Sequence, residues 1–340
     1  MNSIQIGVDL AKSVFDVAVS GAPGRIQERR RLSRAALSQF FANRPPAQVV
    51  MEACGSAHHW GRELQQLGHA VALLHPAEVA RYRDGNKTDQ ADAKALLEAI
   101  RNEALSPVPV KSLEQQAVAA LHRVRPGYLQ TRTARINALR GHLREFGVVI
   151  PVGASRVLPE AAAALAGDAV PALLHGSLRA LLDEIRALEA RAEAGRGELS
   201  RLAEHMPGAQ LLLTVPGVGV LTATALVALV GDIRRFRSGR DFAAYLGLTP
   251  REHSTGQSRR LGAITKRGDS YVRMLLMHGA RSARRAGRVI PHPDDLRTWA
   301  CAVAARKGYN VAAVALANKL ARVGWRVWRD QRPFERRPAA

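Results

Sequence analysis

Lys87-Thr88-Asp89-Gln90-Ala91-Asp92-Ala93-Lys94 sets two carboxylates three residues apart at the head of an apolar-periodic run. On a helix that spacing turns the second carboxylate only about 60° from the first. Asp89 and Asp92 therefore share a face, and they repel unless something positive lies between them. Acids in a first helical turn also suit the positive end of the helix dipole, and an isolated Asp-x-x-Asp needs no other explanation. The predicted helix follows a break at Asp84-Gly85-Asn86 and runs to about Asn102.

Outward from this helix toward the N-terminus the period changes from helical to alternating. Ile4, Ile6 and Val8 alternate with polar or small residues and end at Asp9. Phe15, Val17 and Val19 alternate again, Gly21-Ala22-Pro23-Gly24 makes a turn, and a third strand is predicted around Arg25–Leu32. Ser33 is placed to cap a helix burying Leu37, Phe40 and Phe41. Arg44-Pro45-Pro46 stops that helix, and Ala47-Gln48-Val49-Val50-Met51 reads as a buried strand ending at Glu52. A short amphipathic helix over Trp60–Leu67, a strand over Ala70–Leu74 and a turn at His75-Pro76 complete the segment. Asp9 and Glu52 thus sit at two strand ends, with Asp89 and Asp92 on one helical face. A helix packed across neighbouring strands would gather all four. Hard Mg²⁺ takes carboxylate oxygens and keeps its other positions for water and phosphate, and two such ions about 4 Å apart can serve phosphoryl transfer. Taken singly, each acid is more often a solvated cap or strand end.

Charge is the dominant global property. The 340 residues carry a net charge of +21, and residues 231–340 hold 24 Lys and Arg against 8 Asp and Glu, a net of +16. A polyanionic partner would exploit that bias through counterion release. Hydrophobic content of 47% with 5% aromatic residues fits an Ala/Leu/Val-rich helical protein. No apolar run reaches the roughly 20 residues of a membrane span, and Met1-Asn2-Ser3-Ile4 does not open a signal peptide, so no membrane partner and a cytoplasmic location are expected. Cys54 and Cys301 match no metal spacing and read as free thiols.

Beyond the acids, residues from Leu113 to about Gly147 are helical in composition, with Leu121, Val124, Ile136, Leu139, Leu143 and Phe146 available for one buried side. Pro126-Gly127 is expected to kink or break this helix. After Pro171, the residues Leu174, Leu178, Leu181, Ile185, Leu188, Ala192, Gly195, Leu199 and Leu202 step by four and three. That is an a/d seam, which argues a coiled coil or a long antiparallel hairpin. An ordinary intramolecular helix pair gives the same pattern.

The basic third begins with apolar Leu211–Val215, Pro216-Gly217-Val218-Gly219 and apolar Leu221–Val230. Helix, Gly-x-Gly turn, helix is how a helix-hairpin-helix module offers backbone N–H groups to a phosphate, here from Gly217 and Gly219; a tight packed turn looks the same. After a short helix over Phe242–Leu248, the segment Thr249–Gly262 and then Thr265-Lys266-Arg267-Gly268 crowd hydroxyls, glycines and guanidinium groups together. Arg251, Arg259, Arg260, Lys266 and Arg267 could hold a phosphate, and a serine among them could be a nucleophile. On spacing alone, a flexible basic loop that only grips nucleic acid, its serines exposed turn residues, is the better explanation of the segment. Helices are predicted over Ser270–Arg285, Asp294–Arg306 and Val311–Arg329, with Arg281, Arg284, Arg285 and Arg288 as a basic face and Trp325 and Trp328 as core anchors.

Gly7-Val8-Asp9-Leu10-Ala11-Lys12, Met51-Glu52-Ala53-Cys54-Gly55 and Asn86–Ala93 together resemble the ribonuclease-H-like, RuvC-type fold. More narrowly, they resemble the DEDD transposases of site-specific insertion sequences, the bridge-RNA-guided recombinases. The resemblance implies a Mg²⁺-binding tetrad of Asp9, Glu52, Asp89 and Asp92, and a conserved serine that attacks DNA to form a covalent intermediate. Registering on Thr265-Lys266-Arg267-Gly268 puts that serine at Ser254; registering on Pro250 puts the hydroxyl at Thr255, and Ser258 comes third. Ser254 is preferred as a primary, less hindered alcohol. The resemblance also implies donor and target DNA and a structured guide RNA as partners. It further implies a homo-oligomer, dimer or tetramer, joined through the spacer. Because 162 residues (254 − 92) and the coiled-coil stretch separate Asp92 from Ser254, a composite site is expected, in which the acids of one protomer could meet the serine of another. The expected fold class is α/β plus all-α. Residues 1–108 would form a RuvC-like mixed-sheet domain, 109–206 a coiled-coil helical spacer, and 207–332 a mainly α-helical basic domain, with 333–340 a disordered tail. The alternative function is a metal-dependent junction-resolving nuclease whose basic domain only binds.

Overall fold

The computed structural model describes residues 4–83, 88–103, 105–289 and 294–335, with the backbone alone at Asp89 and at 287–289. The chain divides into two compact units, Met1–Gln116 and Ala117–Ala340.

The first unit is built on five strands, β1 (Gln5–Leu10), β2 (Val14–Ser20), β3 (Glu28–Ser33), β4 (Gln48–Glu52) and β5 (Ala70–Leu74). Four helices accompany them, α1 (Arg34–Ala42), α2 (Ala57–Gln66), α3 (Pro76–Val79) and α4 (Asp89–Ile100). The sheet order is β3-β2-β1-β4-β5. β2 is antiparallel to both β1 and β3, while β4 is parallel to both β1 and β5. The mixed sheet is thus as expected. The Ser33 hydroxyl caps α1 by accepting from Ala36 N at 3.3 Å. His75-Pro76, expected as a turn, begins the short helix α3, with the His75 ring capping Ala77 N. The expected break at 84–86 and the neighbouring Lys87 lie outside the described residues.

Alternation along the strands separates two cores. Ile6, Val8, Phe15, Val17, Val49 and Met51 pack with Leu37, Phe41, Trp60 and Leu64 of α1 and α2. The opposite face belongs to α4: Val50 and Leu74 pack with Ala95, Leu96 and Ala99, and Ala18 packs with Ala93 and Leu97. Glycine at position 7 allows this closeness, because a Cβ there would lie 2.5 Å from the Ala93 carbonyl oxygen.

In the second unit, α5 (Leu113–Glu145) and α7 (Ala172–Glu204) pair antiparallel, with Arg132 to Glu189 at 3.2 Å and Arg135 to Glu184 at 2.8 Å. The a/d pattern therefore makes a hairpin within the chain, and α6 (Val157–Ala166) fills its far end against Ile136, Leu139, Leu143, Leu182 and Ile185. The buried seam of α7 takes Leu182 where the pattern had Leu181, and Gly195 and Gly197 stay helical. Of the kink or break expected at Pro126, the break does not occur: α5 runs on through it as one helix. A proline removes one i→i−4 bond there, and packing on both sides holds the helix: Val118 against Leu199 and Ala228 before it, and Ile136 onward after it. Val124 and Phe146 are exposed, while Val118 and His122 take the buried positions.

The basic third forms α8 (Pro207–Leu213), α9 (Val220–Val230), α10 (Gly239–Tyr245), α11 (Ser270–Val289), α12 (Asp295–Lys307) and α13 (Tyr309–Arg329). Their core joins Leu212, Leu226, Phe242, Leu276 and Leu320 to both expected tryptophan anchors, Trp325 and Trp328. The hydroxyl-rich segment is a hairpin of β6 (Pro250–Glu252) and β7 (Leu261–Ile264), antiparallel. Phe334, expected in a disordered tail, packs on the core, and its N–H donates to Thr214 Oγ1 at 2.8 Å; residues 336–340 lie outside the described ones.

Candidate functional site

The acids of the first unit are organised by strand register. Gly7 faces α4, so Asp9, two residues on, faces it too. Val50 faces α4, and Glu52 follows it by the same rule. Val8 and Met51 are the last paired residues of β1 and β4, so Asp9 and Glu52 each follow directly on that pair, Glu52 as the last residue of β4 and Asp9 one residue before the end of β1. Burial raises the pKa of the nearby Cys54 thiol, and the charges of Glu52 and Asp9 add to that shift. α4 begins at Asp89, capped by the Thr88 hydroxyl, which accepts from Ala91 N at 3.2 Å. Asp92 is 7% exposed, and Arg83 compensates the charge it carries inward by pairing directly with its Oδ1. Asp9, Glu52 and Asp92 are all carboxylate donors, the set that a hard divalent cation takes, and in that sense they fit Mg²⁺. Among the described residues no three His, Cys, Asp or Glu side chains close on a single point. The Asp89 side chain is outside that description.

The register adds a residue that the sequence reading missed. Asp16 of β2 is the direct partner of Asp9, and Arg31 of β3 is the partner of Asp16. Ala18, two residues on, faces α4, so Asp16 does as well. Arg31, Asp16 and Asp9 therefore form one row across β3, β2 and β1, and Glu52 and Leu74 pair on β4 and β5, one residue beyond the last β1–β4 pair, Val8 and Met51. The signal for Asp16 was present in the sequence as a second acid in a tight β-hairpin, but finding it required the hairpin register.

In the second unit, Ser254 follows β6. Its Oγ donates to Glu252 Oε1 at 2.7 Å and accepts the Arg260 N–H at 3.2 Å. The Ser254 hydrogen bond holds the Glu252 carboxyl below its ordinary range, and the charge of Arg259 adds to the effect. Glu252 is thus ionised at neutral pH and oriented toward the hydroxyl proton. It too was missed, because a segment read as a loop gives no reason to place residues 252 and 254 together. Thr255 and Ser258 close the hairpin end through reciprocal backbone bonds of 3.1 and 2.9 Å, with Gly256 at φ +51°. Arg251, Arg259 and Arg260 lie exposed along this hairpin. Lys266 has φ +56°, and the segment through Arg267 and Gly268 presses on the end of α10: a Cβ at Gly247 would lie 2.1 Å from Arg267 O.

The Gly-x-Gly turn joins α8 to α9 and is itself packed. Gly217, at φ +83°, lies against Gly279 of α11, where a Cβ would be 2.6 Å from the Gly279 carbonyl oxygen. Gly219 caps α9 with open space around it. The expected basic face of α11 is interrupted: Arg285 is exposed, but Arg284 is buried with its guanidinium 4.3 Å from the Tyr309 ring centroid. The Arg288 side chain lies outside the described ones.

With a carboxylate row under one helix and a basic hairpin presenting a hydrogen-bonded serine, the class of protein follows from comparison: a transposase. Residues 6–148 match the DEDD transposase family named for IS110, and residues 209–293 match the family described as Transposase IS116/IS110/IS902. The chain is 45% identical over 329 residues to a probable family 20 transposase of Pseudomonas aeruginosa, covering 96% of each chain. It is 37% identical to the transposase for insertion sequence element IS1111A of Coxiella burnetii, covering 98% of this chain and 92% of that one. A pilin gene-inverting protein of Moraxella lacunata is 31% identical over 130 residues, 38% of this chain and 39% of that one. The chain belongs to the IS110/IS116 family of transposases, which implies cutting and rejoining of DNA during transposition.

Proposed function

We propose that the chain performs site-specific insertion-sequence transposition with two chemical parts, a Mg²⁺ site at Asp9, Glu52, Asp89 and Asp92 and a nucleophile at Ser254. The observation that carries this reading is the presence of Asp9 and Glu52 on the one sheet face that α4 covers, α4 being the helix that bears Asp89 and Asp92. The strand order β3-β2-β1-β4-β5, with its mixed directions, supports a ribonuclease-H/RuvC-like reading of the sheet.

Ser254 Oγ attacks the phosphorus of a DNA phosphodiester. The Oγ–P bond forms as one bridging P–O bond breaks, and the Oγ proton passes to Glu252 Oε1, its hydrogen-bond acceptor. The freed DNA oxygen takes a proton from solvent water and leaves as a hydroxyl, while Glu252 keeps the Oγ proton to return it to Ser254 when the serine is displaced. A hydroxyl of the receiving strand then displaces Ser254 in the reverse sense, so the number of phosphate ester bonds is conserved. Arg251, Arg259, Arg260, Lys266 and Arg267 offset the charge that develops on the phosphate, and Gly217 and Gly219 belong to a turn that supports binding. A bound divalent ion supplies Lewis-acid stabilisation of the phosphate oxygens. The net charge of +16 over residues 231–340 suits donor and target DNA and a structured guide RNA, and the family resemblance favours a dimer or tetramer.

A denaturing gel with end-labelled DNA tests this reading. Wild type with Mg²⁺ should give a covalent protein–DNA band that is lost in Ser254→Ala, in Asp9→Asn and on chelation, and kept in Thr255→Ala and Ser258→Ala. Nicking that persists undiminished in Ser254→Ala would instead identify a junction-resolving nuclease.

A further inference from the structure

The sheet face that carries the acids changes sign at its edge. β3 is the edge strand and holds three successive arginines, Arg29, Arg30 and Arg31. Alternation sends Arg29 and Arg31 to one face and Arg30 to the other. Arg30 bonds Glu28 at 2.9 Å, away from the acid row. Arg29 Nη1 donates to Gln90 Oε1 of α4 at 3.2 Å, and Arg31 Nε lies 4.0 Å from Asp16 Oδ2. Between β3, β2 and the start of α4 lies a cleft of about 540 Å³ whose lining includes Asp16, the whole arginine run Arg29, Arg30 and Arg31, Thr88 and Gln90.

The two arginines are only lightly committed. The partner of Arg29 is a neutral amide, which leaves its charge available. Arg31 is 71% exposed on its side chain, and its contact with Asp16 is long for an ion pair, so it contributes little to stability. Guanidinium forks exchange such contacts readily for the charge-assisted, bidentate geometry of a phosphate. Arg31, Asp16 and Asp9 occupy successive strands, so Arg31 stands about 10 Å from Asp9 across the sheet. That is a phosphate or two along a nucleic-acid strand.

We infer that this cleft binds the phosphodiester backbone of the DNA strand being cut, with Arg29 and Arg31 gripping it beside the acid row and Asp16 positioning Arg31. The inference rests on reading Asp9 and Glu52 as part of the cutting centre. Asp16 repels phosphate from its own position, so the strand is held on the arginine side of the row. A DNA strand is favoured over a folded RNA because the cleft is short and lies directly beside the acids.

The test uses the full chain in chelator, with a fluorescein-labelled mixed-sequence single-stranded deoxyoligonucleotide read by anisotropy across a salt series. The double variant Arg29→Gln/Arg31→Gln should bind about tenfold more weakly, with its log K against log salt slope reduced by about 1.4, as two lost phosphate contacts require. Arg62→Gln, on α2 beyond the other face of the sheet, should match wild type in both. Asp16→Asn should weaken binding less than the double variant does. Asp9→Asn should bind in chelator at least as well as wild type while failing to nick in Mg²⁺; nicking by Asp9→Asn would sink the cutting-centre reading and leave the binding result separate. Unchanged affinity and slope in the double variant would overturn the inference. So would an equal loss in Arg62→Gln, or a loss seen with an oligoribonucleotide of the same sequence and not with DNA.

Discussion

His122 and Glu252 show how single contacts make polar groups useful or costly. His122 is buried on α5, with Nε2 2.9 Å from Thr224 Oγ1 and Nδ1 3.2 Å from the Tyr271 hydroxyl. The Thr224 hydroxyl already donates to Val220 O at 2.7 Å, so it accepts from Nε2–H, and the ring is neutral. Burial lowers its pKa from 6.5 to about 4, with the charge of Arg125 adding to the shift and Asp269 opposing it. The unfolded chain therefore takes up a proton between pH 6.5 and 4 that the folded one refuses, and stability falls as pH falls through that window. At pH 5 the loss is about 2 kcal/mol. The drop in thermal midpoint from pH 7 to pH 5 should accordingly be smaller in His122→Gln than in wild type; equal drops would contradict the sign. Glu252 faces a different demand. As the acceptor of the Ser254 proton it should matter to rate, so Glu252→Gln should slow covalent DNA attachment by 10²-fold or more while leaving salt-dependent DNA binding unchanged. Attachment at the wild-type rate would assign the proton to another group.

Among the elements, the tight crossing of α11 over the α8–α9 turn is the most exposed to substitution. A Cβ at Gly279 would lie 2.0 Å from Gly217 O, a backbone atom that cannot rotate away. Gly279→Ala should therefore cost about 3 kcal/mol or more in urea unfolding, whereas Gly219→Ala, with open space at its Cβ, should cost less than about 1 kcal/mol. Similar losses for both would mean that the crossing is looser than drawn. This contact also marks where sequence reading stops. The five strands, α4 and the α5–α7 pair were legible because periods of 2 and 3.6 are local. Pro126 misled because a helix held by tertiary packing on both sides tolerates one missing bond. Leu181 and Leu182 exchanged places because a seam drifts when it serves several neighbours. Asp9 and Glu52 were legible as strand-end acids. Asp16 and Glu252 were not, because each gains its meaning from a partner across a hairpin, and register is a non-local property. The 249–269 segment read as a flexible loop for the same reason: its order comes from backbone pairing such as His253 N to Arg260 O at 2.9 Å, which leaves no apolar pattern.

For the whole molecule, the two proposed halves of the chemistry fall in different compact units, the acids in Met1–Gln116 and Ser254 in Ala117–Ala340. Each unit has its own core, so an acid substitution at the end of β1 and a hydroxyl deletion on the β6–β7 hairpin should each leave the other unit folded. This independence makes a mixing experiment decisive. If a protomer's acids act on a phosphate attacked by another protomer's serine, then Asp9→Asn chains mixed with Ser254→Ala chains contain assemblies in which one intact half-site of each kind meets the other. Either variant alone should give no covalent DNA product. An equimolar mixture that exchanges subunits should recover a sizeable fraction of wild-type product, about a quarter if one competent pairing in four is formed at random. Recovery should disappear when both substitutions are carried on one chain and mixed with either single variant. A mixture that stays inactive, under conditions where subunit exchange is shown by differently tagged chains, would mean that each chain completes its own site.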